Sequence, residues 1–209
     1  MLEGRQLECT SSFTYLGSIV TPDGGTEKDI QARLGKARVA FQKLRNLWKS
    51  SNISKNTKIK IFNSCVLSVL LYGAESWRII EKDLNKLSTF HNTCLRKILK
   101  IFWPNKITNT ELHRRTGSSD MQGILKKKRW KWIGHVMRKS QDDITRVALR
   151  WTPEGKRRQG RPKITWRRTV EAEMKAAGKT WGQLQTDAQD REAWRKLVLA
   201  LCASGHKQD

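Results

Sequence analysis

Acidic residues are scarce in this chain. Only 19 Asp and Glu stand against 42 Lys and Arg over 209 residues, leaving a formal net charge of +23. A field of one sign that large opposes compaction by self-repulsion and suits a phosphate-rich partner. Cysteine is scarce as well. Cys9, Cys65, Cys94 and Cys202 are scattered, which excludes the dense disulfide framework of a small secreted domain and favours a reducing compartment. Residues 1–10 lack a basic start followed by an apolar stretch, so no secretory leader is expected there. Long hydrophobic runs are missing too. The longest, Cys65 to Leu71, is broken by Ser68 and falls far short of the roughly 20 residues a membrane helix needs. No membrane partner is expected, and an intracellular setting is. What is present suffices for a core: 37% of the residues are apolar and nine are tryptophan, which argues against wholesale disorder.

The charge is uneven. Residues 1–52 carry +3, 53–103 carry +6, 104–139 carry +8 and 140–168 carry +6, whereas 169–209 balance. Affinity for a polyanion should therefore concentrate between 104 and 168. Trp130, Trp132, Trp151 and Trp166 are interleaved with that charge, and aromatic faces stack on unpaired bases. The alternative is a solvated basic face with no ligand. Lys126, Lys127, Lys128, Arg129, Trp130 and Lys131 form the densest cluster, which also has the composition of a nuclear-import signal.

Periodicity predicts a mainly α chain. Phe13 to Val20 is rich in aromatic and β-branched residues, and Pro22-Asp23-Gly24-Gly25 follows as turn chemistry, so a short N-terminal β-hairpin is expected within 1–25. A hairpin alone is marginal in water and must lean on something else. Thr26 is a candidate cap for a helix whose stripe reads Ile30, Leu34, Ala37, Phe41, Leu44 and Trp48. Ser54 or Asn56 starts a second helix with Ile59, Phe62, Val66 and Val69. Its second half is apolar nearly all round and is expected to be the most buried element, with Gly73 as a possible interruption. A third helix runs from Glu81 to Phe102 with Leu84, Leu87, His91, Cys94, Ile98 and Ile101 on one face, ended by Pro104. Residues 26–103 thus make a three-helix bundle.

Residues 104–139 form a basic helical segment. Thr108 to Glu111 has capping-box spacing for a short helix ending near Gly117. Ser119 caps the next helix, Asp120 to Arg138, with Met121, Leu125, Trp132 and Val136 on one side and Lys127, Lys131 and Arg138 on another. Residues 140–164 read as a basic Gly/Pro loop region carrying Lys156, Arg157, Arg158 and Arg161. There Gln159-Gly160-Arg161-Pro162 has the composition of an arginine hook for a narrow minor groove, or of an ordinary basic linker. Residues 165–209 hold the C-terminal helices, from Thr165 to Ala177 and from Trp181 to about Leu201 with a break near Thr186, followed by a frayed tail.

The order of motifs resembles the C-terminal part of a non-long-terminal-repeat retrotransposon reverse transcriptase of the RTE-like kind. The matching stretches are Phe13-Thr14-Tyr15-Leu16-Gly17-Ser18, Leu70-Leu71-Tyr72-Gly73-Ala74-Glu75-Ser76-Trp77 and Cys94-Leu95-Arg96-Lys97-Ile98-Leu99. Ile107 to Leu112, Arg129-Trp130-Lys131-Trp132-Ile133-Gly134-His135-Val136 and Gly160-Arg161-Pro162 follow. The resemblance implies that Tyr15, Leu16 and Gly17 belong to a primer-grip hairpin, a remnant of the palm. It also implies that 26–103 is a thumb-like bundle holding a template–primer duplex, and that the basic region beyond engages RNA or DNA. RNA, DNA, template–primer duplex or the element's own RNA are the partners so implied. The basic candidates are Lys126, Lys127, Lys128, Arg129, Trp130, Lys131, Trp132, Arg138, Lys156, Arg157, Arg158 and Arg161. The polymerase carboxylates that bind Mg²⁺ in such enzymes lie upstream of the primer grip and have no counterpart in residues 1–209. No catalytic residue, metal ligand or cofactor is therefore expected on this chain.

Other constellations compete. His91 and Cys94 have a metal-like spacing but fall on the third helix's apolar stripe, where they read as core. Asp142-Asp143 reads as a cap or loop feature. A metal-dependent nuclease would use Asp142, Asp143 and Glu154, and a domesticated adaptor would use the helices to bind protein, with the charge serving nuclear import.

Overall fold

The computed structural model describes residues 10–22, 25–151 and 165–203, and these are mainly helical behind a short N-terminal hairpin. Packing divides the chain into two units. The first is Met1–Gly73 with Glu81–Gly117; the second is Ala74–Ile80 with Ser118–Asp209. Charge and motif order suggest a boundary after residue 103, whereas packing assigns the helix before Gly117 to the first unit.

In the first unit, β1 (Phe13–Tyr15) pairs antiparallel with β2 (Ser18–Val20), Tyr15 opposite Ser18. The turn is Leu16-Gly17, both at positive φ (48° and 80°), the twist a two-residue hairpin requires. Pro22 lies beyond the hairpin instead of in its turn. The hairpin does lean on something: α1 (Glu27–Lys43). Asp29 Oδ1 accepts the Ile19 amide at 3.0 Å, and Arg33 Nη2 donates to the Gly17 carbonyl at 2.6 Å. Both side chains are buried, and the Arg33 guanidinium also lies 4.4 Å from the Tyr72 ring centre.

The stripe on α1 is buried as expected through Ile30, Leu34, Ala37 and Phe41. Thr26 holds the N-cap position without a side-chain cap bond, and the helix breaks at Leu44 before α2 (Arg45–Lys49). Trp48 still folds back, its indole N–H donating to the Phe41 carbonyl at 2.8 Å. Ser54 caps α3 (Lys55–Phe62) through the Thr57 amide. A π turn, Asn63–Leu67, follows and leads into α4 (Ser68–Leu70). The wide turn inserts one residue into the period. The buried series therefore runs Ile59, Phe62, Val66, Leu70, not to Val69, and Ser64, Cys65 and Ser68 are exposed, so this helix is not buried all round.

The third long helix, α5 (Glu81–Ile98), buries Leu87, His91, Cys94, Leu95 and Ile98. It ends earlier than Pro104 would require. Lys100 adopts φ 57°, the Ile101 amide donates to the Arg96 carbonyl at 2.9 Å and the Lys100 amide to Lys97 at 3.2 Å. This is a Schellman end with lysine where glycine is usual. α6 (Asn109–Thr116) is capped by Thr108 and closed by Gly117 at φ 61°. A continuous ring contact links these helices: Trp48 stacks on Phe41 at 5.0 Å, Phe41 meets Phe62 edge-on, and Phe62, His91 and His113 follow at 5.8 Å spacing. His91 and Cys94 are thus core residues, and burial pushes the Cys94 thiol up to about 12.

The second unit is built around α7 (Met121–Met137), with α8 (Ile144–Arg150), α9 (Trp166–Ala176), α10 (Trp181–Asp187) and α11 (Arg191–Ala203). Its N-cap is Asp120, accepting the Gly123 amide at 2.9 Å, and not Ser119. Thr180 and Gln183 make a full capping box at the start of α10. Trp130, Ile133, Val136, Met137, Val170, Leu184, Trp194 and Val198 form the core. Among the described residues no helix is long and apolar enough to cross a membrane.

Candidate nucleic-acid interface

The basic cluster lies on α7, and its members meet three different environments. Lys127, Lys131 and His135 are exposed at i, i+4 and i+8, so they share one face. Neither lysine forms an ion pair among the described residues. Lys126 and Lys128 are half-buried, and Lys128 Nζ meets Glu75 at 2.7 Å. Arg129 and Trp130 face the core. Arg129 is 5% exposed and Trp130 is wholly buried. A single carboxylate takes both: Glu173 Oε1 accepts Arg129 Nη1 at 2.7 Å, and Oε2 accepts the Trp130 indole N–H at 2.7 Å.

The expectation that Arg129 and Trp130 contact nucleic acid is therefore corrected. A tryptophan with no exposed surface has no face to offer a base, and a guanidinium facing Glu173 is already neutralised. Trp132 is half-buried and packs edge-on against Trp166 at 6.0 Å, while Trp166 donates to the Glu75 carbonyl at 2.7 Å. Arg138 is also half-buried: it donates to the Ala188 carbonyl at 3.1 Å, and burial, then Arg191, holds its guanidinium below the usual arginine range. The Arg129 to Val136 motif therefore reads chiefly as packing. Gly134 belongs to it, because a Cβ there would come within 2.7 Å of three atoms of the Trp194 indole.

Lys156, Arg157, Arg158, Arg161 and the Gln159 to Pro162 stretch lie outside the described residues, as does Glu154. Asp143 caps α8, accepting the Thr145 amide at 2.9 Å and its hydroxyl, and Lys139 approaches at 3.2 Å. The Thr145 hydroxyl is the main reason its carboxyl is held down at about 2. The capping reading of Asp143 is the observed one. Among the described residues no group of three or more His, Cys, Asp or Glu is arranged to hold a metal ion.

Two further features belong to the first unit. Tyr15 and Leu16 are 62% and 75% exposed at the hairpin turn that Arg33 and Asp29 fix. A groove of about 940 Å³ runs between α1 and α5, with Leu34, Phe41 and Phe90 among its apolar lining and Arg38, Lys82, Lys86 and Lys97 around it. Glu27 holds Lys86 at 3.0 Å and Lys82 at 3.4 Å, and the Lys86 hydrogen bond is the main cause of its lowered carboxyl pKa.

Composition alone did not single out Glu75, Glu173, Asp29 or Arg33. For Glu173 a signal exists: it sits beside Val170 and Met174, the buried positions of α9, where a charge needs a partner. Glu75 lies in the matched Leu70 to Trp77 stretch, but its pairing with Lys128 appears only in the fold.

Comparison with known proteins gives three findings. A family model described as a domain of unknown function, DUF6451, matches residues 40–72. An uncharacterized transposon-derived protein of Caenorhabditis elegans is 26% identical over 202 residues, covering 92% of this chain and 72% of that protein. No solved structure matches. This similarity supports a transposon-related origin for the chain.

Proposed function

We propose that the chain is a nucleic-acid-binding part of a non-long-terminal-repeat retrotransposon reverse transcriptase, comprising primer grip, thumb and the basic region beyond, and that it performs no synthesis by itself. The similarity to a transposon-derived protein and the order of the six motifs support the origin. The observation that carries the binding is the exposed Lys127–Lys131–His135 face, without a carboxylate partner among the described residues while Arg129 and Lys128 beside it are paired. Phosphates are the partner that such a face lacks. The exposed Tyr15-Leu16 turn and the groove between α1 and α5 offer the first unit's contribution to a primer and duplex. Nuclear placement follows as part of the same reading, because the polyanion is there.

The test is charge reversal on the full chain, read by fluorescence anisotropy with RNA and with a primer–template duplex. Lys127→Glu with Lys131→Glu is expected to weaken binding about 10-fold or more. Lys175→Glu with Lys196→Glu, an equal change of charge elsewhere on the second unit, is expected to weaken it far less. Equal losses would make the attraction a matter of net charge and remove the α7 face as its seat. Activity of the purified chain on plasmid with Mg²⁺ or Mn²⁺ would favour a nuclease instead.

A further inference from the structure

Trp130, Trp132, Trp151 and Trp166, interleaved with the charge of residues 104–168, are the expected base-stackers. Of these four the structure leaves only Trp151 exposed. Trp48, Trp77, Trp130 and Trp194 are buried, Trp132, Trp166 and Trp181 are half-buried, and Trp103 and Trp151 are exposed. Trp103 is 83% exposed, and its neighbour Phe102 is 59% exposed. Two consecutive large aromatic side chains exposed to water lose the stabilisation that burial would bring, and such exposure is what a binding surface shows.

The segment that carries them is held at both ends. At its start, Lys100 in the left-handed region turns the chain off α5. At its end, Arg96 reaches across from α5 and donates to the Ile107 carbonyl at 3.2 Å and to Asn109 Oδ1 at 2.8 Å. A residue with a Cβ is strained in the left-handed region, and such strain gathers where a backbone must present something. The electrostatics select the ligand's sign. Arg96, Lys97, Lys100 and Lys106 flank the rings, and no Asp or Glu occurs between Leu84 and Thr110. Lys100 also helps to lower the pKa of buried Lys58, after burial itself, whose ammonium is spent on the Trp48 and Ser50 carbonyls. Positive potential thus extends to the foot of the loop. Exposed rings in a segment whose charged residues are all positive match bases and phosphates together, the combination offered by an unpaired strand.

We infer that the Phe102-Trp103 loop is a stacking platform for unpaired bases of a single-stranded nucleic acid. This rests on the nucleic-acid reading above and adds a site and a strand type to it. Duplex DNA or RNA keeps its base faces stacked on each other and offers these rings little.

The experiment compares the full chain with Phe102→Ala/Trp103→Ala and with Trp151→Ala. Binding is followed by anisotropy to an unstructured single strand of about 20 nucleotides and to a blunt duplex of the same length. Both side chains are exposed, so circular dichroism is expected to be unchanged and serves as the folding control. Loss of stacking is worth roughly 5-fold or more per base. The double variant is therefore expected to lose about 10-fold or more on the single strand and to stay within about 2-fold on the duplex. A strand carrying 2-aminopurine is expected to show fluorescence quenching with the native chain that the double variant lacks. If the native chain binds both nucleic acids and the double variant binds the single strand equally well, the platform is overturned while the function stands. Equal losses on strand and duplex also overturn it. If the native chain binds neither nucleic acid, the functional reading itself falls.

Discussion

Glu173→Ala is expected to unfold the second unit at a temperature far below that of the native chain. Glu173 is the carboxylate facing Arg129, whose side chain is only 6% exposed, and it also accepts the Trp130 indole N–H. Removing it leaves a buried guanidinium and a buried donor unmatched together. Breaking a buried pair from one side costs about 3–5 kcal/mol, a large share of the roughly 5–15 kcal/mol that holds a domain together. For a unit of this size the transition should fall by more than about 10 °C, followed by tryptophan fluorescence on heating. Glu173→Gln keeps an acceptor for Trp130 but no charge for Arg129, so it should lie between. A shift below about 2 °C for the alanine variant would mean that Arg129 is not desolvated as described.

Gly134→Ala is expected to destabilise the same unit although alanine is the better helix former. The propensity term favours alanine by about 1 kcal/mol. Against it, the new methyl group would overlap a rigid indole, since three atoms of Trp194 lie within 2.7 Å of where it would stand. Trp194 is 3% exposed and donates to the Trp130 carbonyl at 3.0 Å, so displacing it opens the core and breaks a buried hydrogen bond. Overpacking of about 1–3 kcal/mol and the lost bond of about 1 kcal/mol outweigh the propensity. The net loss is about 1–3 kcal/mol, read as the denaturant midpoint. Pairing the change with Trp194→Leu should recover part of it, because the clash then disappears. A more stable Gly134→Ala chain would contradict the close approach of α11 to α7.

The helical stripes of the first unit were readable because one side of each helix faces a core and the other faces water. Ile30, Leu34, Ala37 and Phe41 on α1, and Leu87, His91, Cys94 and Ile98 on α5, repeat at the helical period and are buried. α7 yielded to the same reasoning only in part. Apolar residues surround it on most sides, so the face expected from Met121, Leu125, Trp132 and Val136 holds for three of the four, and the buried tryptophan is Trp130 while Trp132 is half-buried. Its neutralising partners are distant in sequence: Glu75 lies 53 positions from Lys128 and Glu173 lies 44 from Arg129. A cluster of lysines and arginine reads as one surface until those carboxylates are placed. The end of α5 was misread for a local reason. Rules for helix ends look for glycine or proline, and the chain uses Lys100 in a left-handed turn. The π turn at Asn63–Leu67 shifts a stripe by one residue, which periodicity counts as noise.

Nucleic-acid binding by an uncompensated basic surface is the central claim, and its dependence on salt tests it most directly. The full chain should be titrated with KCl against a duplex oligonucleotide, with affinity measured at each concentration. If about five phosphates are contacted, log affinity should fall against log salt with a slope of roughly −4 to −5, because each contact releases a condensed counterion. A slope near zero would show that phosphates are not what the +23 chain holds.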